Sequence, residues 1–179
     1  MRVFYDVEFV ERGPQLPIQP ISFGFVAEDG QEMYLINEEC LTNVMRSPWL
    51  SVNVAPSLPI SSDMREETGF ITQWDADHED HVHVVSLDFL VQRVHKFLTS
   101  FDNLELWAYY GAYDHVALAQ LFGAMPDLPP GIPMWTHELQ QVIEMEDDLQ
   151  LPSPQGPAHH ALWDARWNRD VFNLINDRR

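Results

Sequence analysis

Five side chains in this 179-residue sequence combine types and spacings that can do hydrolytic chemistry. Asp6 and Glu8 stand two apart in FYDVEF, Asp114 lies in YYGAYDHVAL, and His159 precedes Asp164 by five residues in HHALWDA. Carboxylates that converge on one point hold hard divalent cations, and cations so held meet phosphate oxygens. A neutral imidazole beside them can take a proton from water. Each piece also has a plainer reading. Acid-x-acid pairs arise by chance about four times in a chain with 28 acids. Asp6 and Glu8 fit an edge strand with a solvated face, Asp114 fits a helix N-cap, and His159 with Asp164 fits an ordinary helix terminus.

The elements that must position these groups follow from periodicity. Residues 2–10, RVFYDVEFV, alternate and read as a strand. Val3, Tyr5, Val7 and Phe9 share one face and Phe4, Asp6, Glu8 and Val10 the other, so the two acids lie about 7 Å apart on one side. Strands near 21–27 and 31–36 flank the tight-turn pair Asp29-Gly30. Residues 38–46 suit a short helix, and SPWLSVNVAPSLPISSD reads as an irregular, proline-punctuated surface connection. Residues 63–85 support no single element. Ser86 is placed to cap a helix with apolar residues at helical spacing from Leu87 to Phe101. LELWAYY, 104–110, reads as a buried strand that delivers Asp114 at its carboxyl end, where α/β proteins place sites. A helix over 114–123 follows, then one over 137–147 capped by Thr136, and a last helix over 160–176 in which Asp164 shares a face with Ala161, Asn168 and Val171 and is placed to point either inward or into solvent. Three strands, a helix, a strand and more helices make an α/β fold with a mixed sheet.

Composition narrows the classes. The length and 45% hydrophobic content suit one domain spanning 1–179. No apolar run reaches a membrane span, and MRVFYDVEFV lacks the features of a signal peptide. Cys40 is the only cysteine, so no intrachain disulfide forms and a cytoplasmic location is expected. A net charge of −18 argues against a broad basic surface for nucleic acid, but not against an enzyme that meets phosphate through cations. Arg166, Arg169, Arg178 and Arg179 supply four of the ten bases; Arg166 and Arg169 suit phosphate steering or ordinary surface pairing. His78, His81 and His83 fit no standard zinc spacing and suit a solvated acidic loop or strand edge.

The ordered set of Asp6 and Glu8, then Asp114, then His159 and Asp164, resembles the three exonuclease motifs of the DEDD superfamily. It resembles the DEDDh branch, which includes oligoribonuclease, RNase T and proofreading domains, and within it the bacterial polyadenylate-specific 3′-exoribonuclease AS family. The likeness runs from about residue 5 to 172. It implies an RNase H-like mixed sheet with its first three strands antiparallel and helices on both faces. It implies two Mg²⁺ or Mn²⁺ ions, about 3.5–4 Å apart in such sites, with Asp6 bridging both, Glu8 and Asp164 on the nucleophile side, and Asp114 on the second ion. His159, rather than His160, would be the general base, because the motif reads His-x-Ala-x-x-Asp. The implied activity is 3′-to-5′ removal of nucleoside 5′-monophosphates from single-stranded RNA, with a poly(A) preference, in a homodimer. Glu8, Phe9 and Tyr110 would touch the terminal nucleotide. Two departures matter. Tyr109 and Tyr110 replace a His-Asn pair and suit core packing, and strand alternation points Phe9 away from the acids. A nucleotide-binding module without turnover and a DNA proofreading-type exonuclease are the rival readings.

Overall fold

The computed structural model describes residues 1–65 and 69–178. Its strands and helices, in chain order, are β1 (Arg2–Val10), β2 (Gln19–Ala27), β3 (Glu32–Asn37), α1 (Leu41–Arg46), α2 (Pro48–Asn53), β4 (Ile60–Arg65), β5 (Gly69–Trp74), β6 (Val84–Val85), α3 (Leu87–Leu98), β7 (Glu105–Ala108), α4 (Ala112–Gln120), β8 (His137–Glu138), α5 (Leu139–Ile143) and α6 (Ala161–Asn176). Six strands form one sheet in the order β6-β3-β2-β1-β7-β8, and β4 with β5 forms a separate ribbon. β2 pairs antiparallel with β1 and with β3, while β6, β7 and β8 join by parallel pairs. The result is a mixed α/β sheet with helices on both faces, consistent with an RNase H-like fold.

Alternation in β1 builds both layers of core. Val3, Tyr5 and Val7 pack with Phe23, Phe25 and the buried stripe Leu90, Val94 and Leu98 of α3, and with Ala117 and Leu118 of α4. Fully burying one such side chain stabilises the fold by about 1.5–3 kcal/mol. On the opposite face, Phe4 packs with Val171, Phe172 and Ile175 of α6. Ser86 caps α3, its hydroxyl accepting a hydrogen bond from the Phe89 amide at 3.4 Å. Cys40 is buried, and burial pushes its thiol up to about 12, so it behaves as a small apolar side chain.

Several elements differ from the sequence expectation. The proline-punctuated stretch after residue 47 is not irregular. Ser47 caps α2, with Pro48 in the first helical position, and a 3-10 turn at Ala55–Ser57 follows. Leu50, Val54, Ala55 and Leu58 from this stretch join a third buried cluster. Residues 63–85 hold the end of β4, then β5, a 3-10 turn at Glu79–His83, and β6. His78 caps that turn, its Nδ1 accepting from the Asp80 amide. Thr136 caps no helix, since β8 intervenes and Glu138 caps the short α5. Arg179 lies outside the described residues. Among the described residues no helix is long and apolar enough to cross a membrane.

Candidate active site

The site forms where β1 runs past the end of its parallel neighbour. The pairing of β1 with β7 stops at Phe4, opposite Trp107. Beyond it, the Val7 amide donates instead to Asp114 Oδ1 at 2.8 Å. Asp114 reaches that point because β7 ends at Ala108 and α4 begins at Ala112. Gly111, not Asp114, is the N-cap of α4, which places Asp114 inside the first turn and buried. Glu138 secures this junction. Its carboxylate accepts from the Tyr110 amide at 2.8 Å, the Gly111 amide at 2.9 Å and the Gln140 amide at 3.0 Å. The hold matters because Tyr110 has a left-handed backbone, φ 54°.

Asp164 arrives from the other side on α6, which packs across β1 and β2. Close approach is possible because Gly24 of β2 lies in register with Asp6. A Cβ at position 24 would collide with the backbone of Ala161 and Leu162. Ala161 and Ala165 are buried on the same side of α6, and Asn168 Nδ2 donates to the Tyr5 carbonyl at 3.0 Å. The outcome is that Asp6, Glu8 and Asp164 each offer a carboxylate oxygen within 4.8 Å of the others. Asp114 is not part of that trio, but its charge acts on it.

Electrostatics shows what such a trio costs. The Asp6 carboxyl is held well above the usual range by burial first, then by the charges of Asp114, Glu8 and Asp164. Glu8 is pushed up to about 8 by burial, then by Asp164 and Asp114. Asp114 is raised to about 6 by burial, against the stabilising Val7 amide. Asp164 is also raised, mainly by burial. Buried like charges disfavour ionisation unless a cation answers them. Carboxylate oxygens are the ligands that hard divalent cations prefer, so this donor set fits such a cation.

His159 and His160 point to different surroundings. His159 Nδ1 lies 3.5 Å from Glu8 Oε1. His160 is buried, stacks on Tyr34 with ring centroids 4.4 Å apart, and sets its Nε2 3.5 Å from Asp80. His159 holds φ 58°, a conformation that costs a non-glycine residue roughly 1–3 kcal/mol.

The acids open on a cavity of about 460 Å³ whose other wall is apolar: Tyr109, Leu151, Pro154 and Trp167. That size suits a nucleotide-scale ligand. Trp167 meets Tyr109 edge-on at 5.1 Å and donates its indole N–H to the Pro152 carbonyl at 2.8 Å. Tyr110 is 64% exposed, does not pack in the core as the sequence suggested, and is not in this wall. Phe9 lies on the opposite side of β1 from Asp6 and Glu8, stacked on Tyr113 at 5.9 Å. Sequence reading missed Tyr109, Gly24 and Glu138 as parts of the site. The replaced His-Asn pair was the one signal near Tyr109. Arg166 is engaged with Glu32, at 2.6 Å, and Arg169 with Asp170, at 2.8 Å.

A mixed α/β sheet that presents a carboxylate trio and an imidazole to one nucleotide-sized cavity suits a cation-assisted hydrolase of phosphate esters. Comparison with known proteins gives the family. The model of the 3′-5′ exoribonuclease Rv2179c-like domain matches residues 1–176, and the chain belongs to that family. It is 37% identical over 177 residues to the 3′-5′ exoribonuclease Rv2179c of Mycobacterium tuberculosis strain H37Rv, covering 98% of this chain and 93% of that protein. The 3′-5′ exoribonuclease MT2234.1 of M. tuberculosis strain CDC 1551 matches with the same identity and coverage.

Proposed function

We propose that this chain is a cytoplasmic, divalent-cation-dependent 3′-to-5′ exoribonuclease, a single domain that shortens single-stranded RNA to nucleoside 5′-monophosphates. The observation that carries the reading is the convergence of Asp6, Glu8 and Asp164, whose carboxylate oxygens lie within 4.8 Å of one another, a donor set suited to a hard divalent cation. Full-length similarity to proteins named as 3′-5′ exoribonucleases supports the direction and the substrate.

In this reading Asp6, Glu8 and Asp164 would hold Mg²⁺ or Mn²⁺, two ions per site, with Asp114 serving the second. Cations held there would supply a lowered pKa for bound water and charge stabilisation at the phosphate oxygens. His159 is the general base. With its Nδ1 turned to Glu8 Oε1, its Nε2 is left to take the proton of the attacking water. The apolar wall of Tyr109, Leu151, Pro154 and Trp167 receives the terminal nucleoside, and an aromatic surface of this kind stacks any base. Tyr109 therefore replaces Tyr110 as the proposed contact. Glu8 stays in reach of the ligand, while Phe9 braces the strand from behind. The poly(A) preference and the homodimer remain parts of the proposal that rest on family resemblance.

The test is one gel. Single-stranded RNA and DNA of equal sequence, labelled at the 5′ end, are incubated with Mg²⁺, Mn²⁺ or a chelator. The proposal expects a descending RNA ladder that needs the cation. Uncut RNA in every cation lane, from folded protein, would favour a binding module, and DNA cut as fast as RNA would favour a proofreading-type enzyme.

A further inference from the structure

His159 lies just before α6 begins, and the chain before it, from Leu151 to Ala158, has no helix or strand. Its left-handed backbone is disfavoured for a residue with a side chain. Something outside the local chain must hold it, and the stretch from Pro48 to Ser57 does so in two places. Ser57 is buried, 6% exposed, and its hydroxyl lies 2.5 Å from the His159 carbonyl and 2.8 Å from that of Val54. One hydroxyl proton is shared between two acceptors. Trp49 is 55% exposed and meets the His159 imidazole edge-on, with ring centroids 5.2 Å apart at 78°. The third neighbour is Glu8, at 3.5 Å from Nδ1. Backbone, ring and ring nitrogen are thus each held by a different element.

We infer that Ser57 and Trp49 form a clamp that fixes the His159 imidazole for proton transfer, with Ser57 as a positioning residue acting through the His159 carbonyl. The inference rests on the proposed role of His159 as general base. General-base catalysis is worth about 10²–10⁴-fold, and it depends on a proton acceptor held within hydrogen-bond reach. Releasing the carbonyl lets the ring leave that position for part of the time. Neither clamp residue is among the three carboxylates that converge, so cation binding is untouched.

The experiment measures kcat and KM on a 5′-labelled oligoribonucleotide in Mg²⁺, together with Mn²⁺ affinity by calorimetry without RNA. For Ser57→Ala we expect kcat to fall about 10-fold, with KM and Mn²⁺ affinity unchanged. Ser57→Thr, which keeps the hydroxyl, should return kcat to within about twofold. Trp49→Ala, at an exposed position that does not threaten folding, should lower kcat about threefold in the same pattern. The decisive arm is the His159→Ala background. A residue that works only through His159 has nothing left to lose there, so adding Ser57→Ala should cause no further drop. Wild-type kcat in both Ser57→Ala and Trp49→Ala, or an undiminished further loss on the His159→Ala background, would overturn the clamp. If Ser57→Ala does not fold, Trp49→Ala decides alone. A His159→Ala protein with wild-type kcat would sink the general-base role itself, a different failure.

Discussion

β1 and the stretch from Pro48 to Ser57 both serve the candidate site, and they do so by opposite means. β1 brings two carboxylates to one point because strand alternation repeats every two residues, so Asp6 and Glu8 cannot avoid sharing a face. The second stretch brings Trp49 and Ser57 to His159, more than a hundred residues away, with no period that relates them. One placement is local geometry; the other is decided by which helix fits the gap beside Tyr34 and Ala161. Chemistry carried by regular elements can be read early. Its supports, when they lie on short helices and turns, cannot.

The comparison gives an order of effects. Replacing Asp6 with Asn removes the central carboxylate without changing shape, and RNA shortening should fall by about 10³-fold or more, read as initial rate on a labelled oligoribonucleotide. His159→Gln should cost about 10²–10⁴-fold in kcat while Mn²⁺ affinity, measured by calorimetry, holds. Gly24→Ala tests whether the close approach of α6 is what assembles the trio. Overpacking against Ala161 should destabilise the protein by about 1–3 kcal/mol in urea unfolding and lower kcat as well, because Asp164 moves with the helix. A stable Gly24→Ala protein with full activity would mean that the trio tolerates a shift of α6. Tyr109→Ala is the mildest change. It should raise KM about 5-fold, the lower end of the about 1–3 kcal/mol that one lost stacking contact costs, with kcat nearly kept.

Legibility followed the same divide. The face shared by Asp6 and Glu8, the capped helix at Ser86 and the turn at Gly30 all rest on short-range rules, and the structure contains them. Convergence of Asp164 on β1 was readable from its place on an apolar helix face, though the reason it reaches so far, Gly24, was not. A glycine in a strand announces only a close approach or a bulge, and which backbone approaches is a tertiary matter. Tyr109 and Tyr110 show the limit most plainly. They are adjacent and identical, yet the left-handed backbone at Tyr110 turns one into solvent and leaves the other in the cavity wall. No pattern in the sequence separates them.

On the proposed function, the buried carboxylates are kept for a cation at a cost in stability, and pH makes that cost measurable. Glu8, raised to about 8, and Asp6, held well above its usual range by burial and neighbouring carboxylates, favour the protonated form in the folded protein. A group whose pKa is raised by folding stabilises the fold fully below its unfolded value and loses that contribution as pH climbs through the folded value. In chelator, the melting temperature should therefore fall between about pH 4.5 and pH 8, the window between the ordinary Glu value and that of folded Glu8. Mn²⁺ should restore it, by an amount that grows with pH across the same window. Asp6→Asn, which has no carboxyl that folding must protonate, should melt higher than the wild type in chelator at pH 8 and gain little from Mn²⁺. A wild type whose melting temperature ignores Mn²⁺ at pH 8, or an Asp6→Asn protein that responds to it just as strongly, would contradict the account.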